Sequence, residues 1–341
     1  MKSGNCTKEL EVLLKDGFSK KFAQFYLNGC KQEENSPIYD PVYREWCHSH
    51  GFFCEHASIY GLSEENIGDY LSDYDFYKVW PLNGWQRIWI NDKLTLKLML
   101  PSSEFGGIMP KYYYYSTAQG LRPICENMSS DVSLDGFCSL LRNVGELACK
   151  PNNGTMAKGF FLLAYRDEQY SINSNVCQID GIGDFIKAHP NYIFTEFIRP
   201  GMGFEKISKL IHTCRVNVMN PTGCMPEIFS AYMRFAESEN KTANYFSFDG
   251  SSNKDFHVQT DIDLKTGALC DARLFYPDRT ERIDKHPISG ASLQINIPEW
   301  DRLCKIIIAI ANKFNLVEYM GFDIGITDES KIGRASCRER V

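Results

Sequence analysis

The stretch from Gly145 to Tyr165 constrains the fold most sharply. Two apolar runs, GELACK and FFLLAY, are separated by PNNGTMAKG, whose proline, asparagines and glycines no helix would accommodate. Each run is short and bounded by turn-forming residues, so the segment reads as strand, glycine loop, strand: a hairpin. Lys150 ends the first strand as a fixed cation, and Gly154 and Gly159 let backbone N–H groups approach an anion. The spacing is neither GxxxxGK[ST] nor GxGxxG. Alone, the loop fits an ordinary hairpin with a surface lysine as well as a cover over phosphate oxygens.

The rest of the chain gives strands and helices without a steady βα alternation, which predicts an α+β fold. Residues 1–90 read as a largely helical region. KELEVLLKDGF has helical spacing with a stop at Gly17, and Ser63-Glu-Glu-Asn reads as a capped helix start. Asn91-Asp-Lys-Leu begins a helix with Asp92 near its N-terminus, where a carboxylate is favoured. MPKYYYYST is β-rich. YIFTEFI, His212 to Met219, Ile228 to Phe235, Val258 to Leu264, Leu269 to Leu274 and Gly321 to Thr327 read as strands, and Ile297 to about Lys313 as a helix. One domain is expected over 91–331, with a lid lobe at about 110–195 and a second lobe from about 196.

Composition excludes several functions. A net charge of −6 argues against a basic nucleic-acid binder. No apolar run approaches the ~18–20 residues of a membrane span, and the N-terminus has no apolar signal region. A cytoplasmic protein is expected, with its 13 cysteines as reduced, mostly buried thiols. Asn153-Gly-Thr155 fits the glycosylation pattern by chance on that reading. CHSHGFFCEH (Cys47, His48, His50, Cys54, His56) invites a zinc reading, but its spacing matches neither CxxC pairs nor HxxxH, so polar residues on a helix surface are expected.

Context favours the phosphate-cover reading of the loop. Glu196 is a carboxylate on an apolar strand, which asks for a donor partner. Arg215 and Arg234 follow in strands, and Asp323 lies on the last apolar strand, where a lone carboxylate asks for a cation. Lysine, glycine loop, Glu, Arg and Asp, in that order, are the parts an ATP–magnesium site requires.

With these landmarks the chain resembles the ATP-grasp proteins, and among them the sugar-transfer-associated ATP-grasp group. The resemblance runs from about Asp69 to Thr327 through YLSDYDFYKVWPLNG, WINDKLTLKLML, MPKYYYY, CKPNNGTMAKGF, YIFTEFI, Thr213-Cys-Arg215, Asp263-Leu-Lys-Thr-Gly, HPISG, IPEWD and GFDIGIT. It implies two α+β lobes clasping ATP. Lys93 would reach the α-phosphate, Lys150 the α/β-phosphates, and Asn153, Gly154, Thr155 and Gly159 would belong to a mobile phosphate loop. Glu196 would meet the adenine amino group and Glu205 the ribose. Arg215 and Arg234 would serve catalysis, Arg215 facing the transferred phosphoryl group, and Asp323 would hold Mg²⁺.

The implied activity is an ATP-dependent ligase that activates a carboxylate as an acyl phosphate for attack by an amine or thiol, on a cell-surface glycan precursor. A kinase acting on a sugar-like alcohol, or a non-catalytic nucleotide-binding partner of a glycosyltransferase, is the alternative. The sequence departs from the family pattern at Cys214, in the loop 243–252, and in lacking the Glu-x-Asn strand that completes the metal site. Ile332 to Val341, IGRASCRERV, is encoded by one frame of a common short-read sequencing adapter. The expectation is that these ten residues are not native, that the gene continues, that the Gly321–Thr327 strand is left with an open edge, and that the chain is catalytically dead or nearly so.

Overall fold

The computed structural model describes residues 10–105, 108–124, 131–154, 159–201, 203–236, 256–276 and 278–327, with the backbone of 334–338. The first stretch is helical, as α1 (Leu10–Lys15), α2 (Lys20–Glu34), α3 (Pro41–Ser49), α4 (Cys54–Tyr60), α5 (Asp73–Val79), α6 (Ile88–Asn91), α7 (Lys93–Met99) and α8 (Ser102–Phe105). Local chemistry starts these helices. Asp40 accepts from the amides of Val42 and Tyr43 ahead of Pro41, Ser72 caps α5, and Asp92 caps α7 through the Thr95 amide. Gly17, at φ +104°, ends the first helix where expected. The helix expected after Ser63 is only a 3₁₀ turn, Ile67–Asp69, because Gly68 weakens it and Ser72 soon caps a new helix.

Two antiparallel sheets follow. The first contains β1 (Tyr112–Thr117), β2 (Gly120–Pro123), β3 (Glu146–Pro151), β4 (Phe161–Arg166), β5 (Gln169–Ile172), β6 (Asn175–Cys177) and β7 (Tyr192–Glu196), with α9 (Leu134–Val144) and α10 (Ile179–Ala188) packed on one face. Its strand order is β2-β1-β7-β3-β4-β5-β6, so the hairpin read around PNNGTMAKG is β3–β4, beside β7.

The second sheet contains β8 (Thr213–Met219), β9 (Glu227–Phe235), β10 (His257–Ile262), β11 (Leu269–Phe275), β12 (Thr280–Arg282), β13 (Tyr319–Gly325) and β14 (Arg334–Arg338), in the order β12-β11-β10-β9-β8-β13-β14. Helix α11 (Trp300–Lys313) buries Leu303, Ile307 and Ile310, one helical stripe, in the core that holds Val216, Met233 and Phe322 of this sheet. The same core takes in Leu96 of α7 and Ile193 of β7. The fold is α+β.

Three expectations are corrected. The outer edge of β13 is covered by β14, with Asp323 opposite Ser336, because any extended segment there satisfies the ladder's backbone groups. Cys30 is disulfide-bonded rather than reduced, a pairing that depends on a close tertiary approach no spacing announces. Within CHSHGFFCEH, Cys47 and Cys54 are fully buried and His48 nearly so, because the faces of α3 and α4 that carry them pack inward, whereas His50 is exposed.

One polar side chain of the helical region reaches the second sheet beside the apolar contacts between them. Asn83, in WPLNG, is buried; its Nδ2 donates to the Tyr319 carbonyl at 2.7 Å, and its Oδ1 accepts from the amides of Glu318 and Tyr319 at 2.8 and 2.9 Å. These bonds fix the start of β13, the strand that carries Asp323.

Candidate functional site

The candidate residues fall into two groups. The first surrounds the end of β3. Lys93 opens α7 and its ammonium donates to the carbonyls of Pro151, Asn152 and Gly154 at 2.8, 2.9 and 2.8 Å. The Asn152 side chain returns the contact: Oδ1 accepts from the Leu94 amide at 2.8 Å, and Nδ2 donates to the Asp92 carboxylate. The capped start of α7 thus grips the start of the glycine loop. Gly159, at φ +73°, has no room for a side chain, since a Cβ would lie 2.7 Å from the Tyr192 hydroxyl. A Cβ on Gly154 would lie 2.9 Å from the Pro151 ring. Asn153 is exposed and accepts from the Asn191 amide group at 3.3 Å. Thr155 lies outside the described residues.

Lys150 is the penultimate residue of β3, opposite Ile193, whereas Glu196 ends β7 opposite Leu147. They are three ladder positions apart, about 10 Å, and strand alternation assigns them to opposite faces, so sheet register alone does not aim both at one ligand. Glu196 accepts from the Lys111 amide at 3.1 Å and donates its own amide to the Lys111 carbonyl. Glu205 folds back onto its own turn and accepts from the Gly203 amide at 2.8 Å.

The second group is assembled by strand register. Asp323 of β13 stands opposite Arg215 of β8, and Arg234 of β9 stands opposite Thr213. Arg215 reaches Asp323 Oδ1 with Nε at 2.8 Å and with a terminal nitrogen at 2.7 Å, and Arg234 reaches the same oxygen at 3.1 Å. Arg215 and Asp323 are both buried. Burial works against the charge on Arg215, but the facing Asp323 carboxylate outweighs it and raises its pKa further above the ordinary arginine value. Two guanidiniums thus converge on one carboxylate oxygen in a largely buried setting.

A family model described as sugar-transfer-associated ATP-grasp matches residues 89–332, most of the chain. The chain belongs to that family. Its match covers both groups of residues, from Lys93 to Asp323. No curated protein matches the sequence. Solved structures it is similar to include a D-alanine–D-alanine ligase from Bacillus anthracis, at 14% identity and a TM-score of 0.36, over 73% of this chain and 57% of the other. An L-amino acid ligase from Bacillus licheniformis gives 9% and 0.36, over 74% and 41%. The D-alanyl-alanine synthetase A of Vibrio cholerae O1 biovar eltor gives 12% and 0.38, over 74% and 56%. The chain thus spans about half the length of these structures.

Sequence reasoning missed four residues. Asn152 was overlooked beside Asn153, although it is the buried one. Lys97, four residues after Lys93 on α7, is 2% exposed, with its ammonium 5.6 Å from the Tyr112 ring centre. The K-x-x-x-K spacing was the available signal, since it places both lysines on one helix face. Asn83 sits inside a motif used only for its resemblance. His212 is buried between the Phe204 carbonyl, 3.0 Å from Nε2, and the Ala236 amide, which donates to Nδ1 at 3.0 Å. The amide at Nδ1 makes Nε2 the protonated nitrogen of the neutral ring. No helix among the described residues is long and apolar enough to cross a membrane.

Proposed function

We propose that the protein is an ATP- and Mg²⁺-dependent ligase that activates a carboxylate as an acyl phosphate for displacement by an amine or thiol. The observation that carries this reading is the Arg215–Asp323–Arg234 cluster on three adjacent strands, within a chain of ATP-grasp family. Two fixed guanidiniums suit the equatorial oxygens of a transferring phosphoryl group and the oxyanion of the acyl phosphate. Lys150 and the backbone N–H groups of Asn153, Gly154, Thr155 and Gly159 hold the nucleotide phosphates on this reading, with Lys93 setting the position of the loop. Glu196 takes the adenine amino group and Glu205 the ribose hydroxyls.

Magnesium fits the donor set in one way. Asp323 supplies a single carboxylate, which is enough for an ion that takes its other oxygens from phosphates and water. When bound, the ion supplies charge neutralisation on the polyphosphate. The proposed acceptor is a carboxylate or amine on a cell-surface glycan precursor, and the proposed compartment is the cytoplasm; the family description supports this only by its mention of sugar transfer.

The test is nucleotide binding followed by product analysis. Replacing Lys150 by Met should weaken Mg-ATP about tenfold or more, as expected for one charge-assisted contact of about 1.5–3 kcal/mol. With a panel of carboxylates and amines or thiols, ADP and free phosphate should appear in equal amounts. ADP with the phosphate retained on an alcohol would identify a kinase instead. Mg-ATP binding with no turnover in any acceptor mixture, in a chain that carries the Glu-x-Asn strand, would support a binding partner and overturn the ligase reading.

A further inference from the structure

The helical region holds a second convergent cluster, outside the family match and unused by the reaction proposed above. Glu33 lies in the last turn of α2, Cys47 and His48 lie in α3, and Cys54 opens α4. Cys47 and Cys54 have no exposed surface, and His48 and Glu33 are 6% and 9% exposed. The ligating atoms of Glu33, His48 and Cys54 all lie within 4.8 Å of one another, and His48 Nε2 is 2.8 Å from Glu33 Oε2. The buried Cys47 thiol neighbours that of Cys54 but stands outside this 4.8 Å set.

Part of this has a structural explanation. Glu33 caps α4: Oε2 accepts from the Cys54 amide at 2.9 Å and Oε1 from the Glu55 amide at 3.3 Å. Capping accounts for a buried carboxylate. It does not account for an imidazole and a thiol gathered on that carboxylate from two further helices, with a second thiol beside them.

We propose that Glu33, His48 and Cys54 form a structural zinc(II) site joining α2, α3 and α4, with the neighbouring Cys47 thiol turning in as fourth donor when the ion binds. Two sulfurs, an imidazole nitrogen and a carboxylate oxygen are the donor types zinc takes, at about 2.3, 2.0–2.1 and 2.0–2.2 Å. The ion replaces the two thiol protons, which leave to solvent, and takes the Nε2 lone pair of neutral His48 once the proton that Nε2 now shares with Glu33 has moved through solvent to Nδ1. The His48–Glu33 separation opens from 2.8 Å to the ~3.3 Å edge of a tetrahedron with such bonds. Two thiolates and one carboxylate against one Zn²⁺ leave a single negative charge. Arg44, which donates to the Glu33 carbonyl at 3.1 Å, stands beside it. The irregular spacing hides the site from motif reading, because its ligands come from three helices rather than paired knuckles.

The experiment is metal analysis of the full chain, purified without chelator, followed by zinc removal and titration with cobalt(II). About one equivalent of zinc per chain is expected, and cobalt should give intense tetrahedral d–d bands with a thiolate-to-cobalt charge-transfer band. Cys54→Ser and Cys47→Ser should each weaken the charge-transfer band, while Cys138→Ser, in the first sheet's core, should leave it unchanged. If the cluster variants fail to fold, the wild-type zinc content and cobalt spectrum decide alone. Substoichiometric zinc with no charge-transfer band would overturn the site, as would a full cobalt spectrum in folded Cys54→Ser protein. Neither result bears on ATP binding, so the two proposals fail separately.

Discussion

Lys93 and Asn152 hold each other at both backbone and side chain. The Lys93 amide and ammonium both donate to the Asn152 carbonyl, at 3.2 and 2.9 Å, while the Asn152 side chain binds the next amide of the helix that Lys93 opens. The lysine assigned by resemblance to a phosphate is, in this structure, the clamp on the first residues of the phosphate loop. Its charge is spent on three carbonyls whose orientation sets the course of the loop.

Asn152→Ala removes one side of that clamp and leaves the Leu94 amide and the Asp92 carboxylate short of a partner. A stability loss of about 1–3 kcal/mol is expected, with weaker Mg-ATP binding, because the loop start is no longer held to α7. Urea unfolding and nucleotide titration of the same variant measure both. A loss confined to stability would limit Asn152 to a structural role.

Asp323→Asn leaves two guanidiniums converging on a neutral amide, one of them, Arg215, buried. Breaking a buried pair from one side costs about 3–5 kcal/mol, since the remaining charges stay buried. The measurement is the urea midpoint at unchanged slope. Asp323→Asn should also abolish metal-dependent turnover, whereas a variant with wild-type stability and turnover would remove Asp323 from both roles.

His212 gives a pH dependence with a definite sign. Burial, aided by the nearby His286 and opposed by the hydrogen bond to Phe204, pushes its pKa down from 6.5 to about 4. Between these values the unfolded chain takes up a proton that the folded chain refuses. The contribution is therefore complete above about pH 6.5 and is lost as pH falls towards 4, by at most about 3 kcal/mol. Urea unfolding from pH 7 to 4.5 should show a steeper decline in the wild type than in His212→Gln. Parallel declines would mean that His212 is not the titrating group.

The sequence by itself determined the elements that local chemistry specifies. The β3–β4 hairpin, the Asp92 cap, α11 and the strand around Asp323 were legible because alternation, helical spacing and turn residues act over a few neighbours. Motif order carried the family and the α+β class. Only the tertiary structure decided which side chains meet. Arg215, Arg234 and Asp323 share one carboxylate oxygen because β13 pairs with β8 and β8 with β9, a register fixed by burial across the whole sheet. Lys93 reaches residues 151–154 across 58 to 61 positions of sequence. Glu33, His48 and Cys54 converge from three helices whose packing no spacing rule encodes. Contacts distant along the chain are set by the shapes of cores that form together, so the residues that carry the site's chemistry were visible in the sequence while their partners were not.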